Sequence, residues 1–99
     1  MIAKMLECST AHITEETREW LASEALQYAG HLTVGPLIVY EKSIYGCFIY
    51  VPEQLTDEEK VEIPEDLVQI MLLAQQEKCG WLMLDGDVEP MDSLPIYDW

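Results

Sequence analysis

The sequence predicts an α+β domain of order β-α-β-β-α-β, with an antiparallel sheet carrying two helices on one face in the ferredoxin-like plan and an irregular C-terminal tail. Three observations lead there. Segments 14–30 and 64–80 repeat apolar residues at helical spacing between a capping start and a glycine stop. Between them, 37–51 is dense in the β-branched and aromatic residues that suit paired strands. Short apolar runs at 2–8 and 81–84 supply an opening and a closing strand.

Each element has a local cause. Residues 2–8 alternate in part between apolar and polar positions, as a strand with one wet face does. Thr14 offers an N-cap, and Glu15 and Glu16 place carboxylates at the positive end of the helix dipole. The apolar stripe of that helix runs through Ile13, Trp20, Leu21, Ala25 and Tyr28, and Gly30 stops it. Gly35-Pro36 starts a hairpin whose strands are joined at Lys42 and Ser43, and Pro52 ends it because proline has no N–H for the ladder. Residues 53–62 are expected as a loop or a short irregular helix. Pro64, Glu65 and Asp66 then open a second helix with its stripe at Leu67, Ile70, Met71 and Ala74, closed by Lys78 and Gly80. After residue 84 there are too many Gly, Pro and Asp residues for regular structure.

Ninety-nine residues with 49% apolar content fit one domain with one core, here 1–99, with 85–99 as an acidic, aromatic-ended segment. The net charge of −14 is unevenly placed. Residues 1–50 carry six carboxylates against three basic residues, and 51–99 carry thirteen against two. Such a charge keeps a protein soluble and opposes direct attraction to nucleic acid or anionic lipid. The acid falls in two clusters, Glu53 to Asp66 and Asp85 to Asp98. Both flank an apolar stretch, so an anionic surface on a folded body is expected.

Three cysteines, Cys8, Cys47 and Cys79, are widely spaced and odd in number, which predicts reduced core thiols and not a disulfide framework. No signal-peptide pattern and no run of transmembrane length is present, so a cytoplasmic setting is expected.

Several constellations invite chemistry. Asp85, Asp87 and Glu89 have the alternation of the first ligands of a calcium loop, but the sixth and twelfth positions, which need Gly and Glu, hold Pro90 and Ile96. Cys8, His12 and Cys79 lack a fourth zinc ligand. Ser9, Thr10 and His12 with a nearby carboxylate, Asp85 or Asp87, can be drawn as nucleophile, base and orienter, yet no nucleophile elbow surrounds them. No cofactor motif occurs, and none is expected to be bound. The end Leu94-Pro95-Ile96-Tyr97-Asp98-Trp99 sets two aromatic rings two residues apart, for docking onto the body or presentation to a partner.

The segments Ser9-Thr10-Ala11-His12-Ile13-Thr14, Tyr50-Val51-Pro52-Glu53, Pro64-Glu65-Asp66-Leu67, Trp81 to Asp85 and Leu94 to Trp99 together resemble a family of small bacterial proteins of unknown function carried on plasmids, integrative elements and prophages. The resemblance runs nearly the whole length. It implies a bacterial mobile-element setting, where small acidic proteins frequently inhibit restriction or CRISPR machinery. The expected function is a non-enzymatic acidic interaction protein, a DNA mimic of anti-CRISPR or anti-restriction type. Its partner would be a basic, nucleic-acid-binding host protein, and the chain itself a monomer or homodimer. The expected contacts are Glu53, Asp57, Glu58, Glu59, Glu62, Glu65 and Asp66, a second patch of Asp85, Asp87, Glu89 and Asp92, and the aromatic end Tyr97 and Trp99. The alternative is a small-ligand protein or hydrolase-like enzyme using Ser9, His12 and Asp85 or Asp87.

Overall fold

Nearly continuous burial along Trp81 to Asp85 places this strand inside the sheet, a position its unbroken apolar run favours. The structure, a computed structural model, describes residues 2–23, 31–34, 37–43 and 46–98. In chain order these form β1 (Met5–Ser9), a 3-10 turn (Thr10–His12), α1 (Glu15–Ser23), β2 (His31–Val34), β3 (Leu37–Ser43), β4 (Gly46–Tyr50), α2 (Asp57–Glu62), α3 (Glu65–Gln76) and β5 (Trp81–Asp85). The continuation of the first helix to Gly30 and the turn Gly35-Pro36 lie outside the described residues, as does Trp99.

The molecule is α+β, but its sheet is not the ferredoxin-like one. Among the described residues the strands form a five-stranded sheet of order β1-β5-β4-β3-β2. β1 lies at the edge and pairs in parallel with β5, while the other neighbours are antiparallel, so the sheet is mixed. In the ferredoxin-like plan the first strand is internal and its neighbours run antiparallel to it. Here β1 leaves Met5 and Glu7 exposed, which an edge tolerates, whereas β5 buries four of its five residues and needs a strand on each side. The four-residue β2, with no counterpart in the expected element order, completes a meander with β3 and β4. β3 also continues through Lys42 and Ser43, the residues expected to join the two strands.

The core lies between the sheet and the helices. Leu67, Val68, Ile70, Met71 and Ala74 of α3 pack with Leu82 and Leu84 of β5, Ile49 of β4, Val39 of β3 and Cys8 of β1. Burial of each large aliphatic side chain is worth about 1.5–3 kcal/mol before ordering costs. α3 ends in a Schellman motif: Cys79 N–H donates to Ala74 O at 2.8 Å, Lys78 N–H donates to Gln75 O at 3.0 Å, and Lys78 takes the left-handed conformation with φ 59°. Glycine is required at Gly46, where a Cβ would run into the carbonyl oxygen of Leu84 across the β4–β5 ladder.

Candidate functional site

The first acidic cluster is a structured platform. Thr56 caps α2 with a full capping box: its hydroxyl accepts from Glu59 N–H, and the Glu59 carboxylate accepts from Thr56 N–H, both at 3.1 Å. Asp57, Glu58 and Glu59 fill the first turn, where the helix dipole favours them. No residue of α2 is buried; buried Leu55 before it and buried Ile63 after it fasten its two ends to the core. Glu53, Asp57, Glu58, Glu62 and Glu65 are consequently exposed and Glu59 half-buried, with Val61 85% exposed among them.

Asp66 has a different place. It is half-buried, and its carboxylate accepts from Thr14 N–H at 2.7 Å and from the Thr17 hydroxyl at 2.6 and 2.8 Å. Thr14 Oγ1 in turn accepts from Thr17 N–H at 3.1 Å, closing the N-terminus of α1. Asp66 is therefore a cap that ties α3 to α1, and it is engaged internally. An open groove of about 530 Å³ runs beside it, walled by Trp20, Tyr97, Glu16 and Glu65. Gln69 donates to Glu65 at 2.8 Å on the same rim.

His12 is the polar centre of the other end. It is 1% exposed and both ring nitrogens are occupied. Nε2 accepts from Met91 N–H at 2.9 Å, which leaves the proton on Nδ1 to be donated to Pro95 O at 2.7 Å. Tyr97 N–H donates to Ala11 O at 2.8 Å, one residue before the histidine. Residues 91–97 thus form a strap held on the 3-10 turn, with Met91 and Leu94 packed against the core. The opening segment around His12 and the closing segment around Pro95 are two halves of one joint.

Ser9, His12 and Asp85 come near one another in the fold, since Ser9 and Asp85 are register partners of β1 and β5. Each of the three side chains has a backbone partner. Ser9 Oγ accepts from Ala11 N–H at 3.0 Å, Asp85 Oδ1 accepts from Asp87 N–H at 2.8 Å, and His12 serves the strap. Asp85 is 5% exposed, which withdraws it from a surface patch; Asp87, Glu89 and Asp92 remain exposed. The groove beside Asp66 is lined by none of Ser9, His12, Asp85 and Asp87.

A family model described as the C-terminal domain of a family of unknown function, DUF5983, matches residues 5–99. The chain belongs to this family. No curated protein and no solved structure matches it. The DUF5983 match takes in β1, the His12 turn and the strap, so both halves of the joint fall inside it.

Burial pushes the thiols of Cys8 and Cys47 up to about 11, well above the usual value near 9, and keeps both protonated at neutral pH. Cys79 is a free thiol buried behind α3. Among the described residues no group of three His, Cys, Asp or Glu side chains is placed to hold a metal ion, and no helix is long and apolar enough to cross a membrane. The capping function of Asp66 and the buried Thr17 escaped the sequence reading. Their trace was the pairing of a Thr-x-x-Thr helix start with an acidic Pro-Glu-Asp start, a signal that becomes specific only once the two helices are side by side.

Proposed function

We propose that this DUF5983 protein is a non-enzymatic interaction module that presents its acidic α2 surface to a basic, nucleic-acid-handling protein. The observation that carries the reading is the form of the platform: exposed carboxylates at Asp57, Glu58 and Glu62 on a short helix capped at its start and fastened to the core at both ends, with exposed Glu53 before it and Glu65 at the start of α3. Duplex DNA carries one negative charge per about 1.7 Å of axis, and fixed carboxylates at close spacing offer a basic groove a comparable surface. Long-range steering makes such binding fast and salt-sensitive. Val61, bare in the middle of the platform, adds an apolar contact. Asp87, Glu89 and Asp92 form a second acidic edge, and the setting that fits is bacterial mobile DNA, with the protein acting as an anti-restriction or anti-CRISPR factor. The competing enzyme reading requires His12 to release the strap before it can act as a base, and nothing in the geometry favours that.

The test is a tagged pull-down from bacterial lysate at low and high salt, with the wild-type chain and with Glu58, Glu59 and Glu62 changed to Gln. Capture of a basic nucleic-acid-processing protein that is released by salt and weakened roughly tenfold or more by the triple change supports the proposal. Equal capture by the variant, or capture that resists salt, overturns it.

A further inference from the structure

The groove of about 530 Å³ beside Asp66 lies where α1, α3 and the strap meet. Two aromatic side chains line it: Trp20, packed against the core, and Tyr97, whose backbone N–H is held by Ala11 O at 2.8 Å. Both anchors are therefore in place before any ligand arrives. Three carboxylates share the lining, Glu16 and Glu65 at the exposed rim and half-buried Asp66 within, and among the described residues no basic side chain does. The partners of Asp66 are an amide N–H and a hydroxyl, both neutral, so its charge is stabilised without being cancelled.

The hydrogen-bonding capacity of the groove is as one-sided as its charge. Thr14 N–H and the Thr17 hydroxyl donate to Asp66, Thr17 N–H donates to Thr14 Oγ1, and the Gln69 amide donates to Glu65, so these donors are engaged inside the groove. A carboxylate accepts about four hydrogen bonds, and Glu16 and Glu65 stand in water with room for donors from outside. An anion is repelled here, and an uncharged apolar group would strip water from the acids without replacing it. We infer that the groove receives the guanidinium of an arginine side chain carried by a partner protein. That group is a planar cation that stacks on an aromatic ring while its N–H fork meets carboxylates, which fits Trp20 and Tyr97 together with Glu16, Glu65 and Asp66. A lysine ammonium pairs with the acids but has no plane to stack. The groove is open, so the side chain enters from a polypeptide lying across it. This inference does not rest on the α2 reading: the groove is built from α1, α3 and the strap, and only Glu65 belongs to both surfaces.

An NMR titration of the 99-residue chain tests it. The probe is an acetylated and amidated Gly-Arg-Gly tripeptide, set beside the same tripeptide with Lys, the same with citrulline, the uncharged isostere of arginine, and free L-arginine. The expected result is saturable shifts at Thr14, Thr17, Gln69 and Tyr97 with the Arg tripeptide, with binding roughly tenfold weaker for the citrulline form and several-fold weaker for the Lys form. Tyr97→Leu, and Glu16→Gln combined with Glu65→Gln, should each weaken the Arg tripeptide about tenfold. Unchanged signals from Leu82 and Leu84 in the core show that these variants are folded. The inference is overturned by the absence of saturable shifts at the groove, by shifts confined to Asp57–Glu62, by equal binding of the citrulline tripeptide, or by variants that bind as the wild-type chain does. Tighter binding of free arginine than of the tripeptide also overturns it, because the groove would then be an amino-acid site and not a seat for a protein side chain.

Discussion

The two acidic segments look alike as sequence and are held in opposite ways. Glu53 to Asp66 satisfies its own backbone: the capping box starts α2, the helix closes its own hydrogen bonds, and only Leu55 and Ile63 reach into the core. Its carboxylates, apart from Glu59 in the capping box and Asp66, are left facing water. Asp85 to Asp98 is irregular, so its backbone groups need partners from elsewhere, and His12 and Ala11 supply them. Acid on a self-sufficient helix is free to act on a partner, whereas acid on an irregular strap accompanies a segment whose place depends on one buried histidine. Asp66 and Asp85 show that the difference reaches single residues, because each belongs to an acidic cluster and each is engaged inside the fold.

The contrast can be broken at the joint. His12→Ala removes the acceptor for Met91 N–H and the donor for Pro95 O and leaves a cavity, so a loss of about 3 kcal/mol in urea unfolding is expected, with faster proteolysis within 86–98. A loss below about 0.5 kcal/mol would show that the strap is held by Met91 and Leu94 packing alone. Asp66→Ala removes the acceptor of Thr14 N–H and leaves the buried Thr17 hydroxyl only the Thr14 hydroxyl as partner, for a loss of about 2 kcal/mol in the same assay.

Smaller effects sharpen the picture. Cys8 and Cys47 are raised by burial from about 9 to about 11, so the native state favours their neutral form. Their contribution to stability is present in full below pH 9 and is lost as pH rises toward 11; Cys8→Ala should flatten that decline in an unfolding series between those limits. Changing Glu58, Glu59 and Glu62 to Gln should move stability by no more than about 0.5 kcal/mol, since the carboxylates face water and Gln also completes a capping box. A larger loss would mean that α2 depends on its charges and is not a self-sufficient platform.

Much of the architecture was legible in the chain. Thr14 and Pro64 stand at helix starts, the stripe of α3 is the buried one, and the aromatic run folds as paired strands, whereas the Thr56 capping box lies in a stretch expected as a loop or short irregular helix. The strand order was not legible, because whether β1 pairs with β5 or lies between other strands depends on contacts some seventy-five residues apart that no local pattern encodes. His12 read as one member of an incomplete zinc set or as a base, because a sequence shows the imidazole but not the two backbone groups of residues 91 and 95 that occupy it.

The sequence by itself determined the elements, the asymmetry of charge and the apolar surface available for a core, since these follow from side-chain period and composition. Only the tertiary structure decided which carboxylates remain on the surface. Thirteen acids in the second half are chemically near equivalent along the chain, and they become different when a helix start, a strand end or a strap brings an N–H or a hydroxyl within 3 Å of some of them and leaves water to the rest.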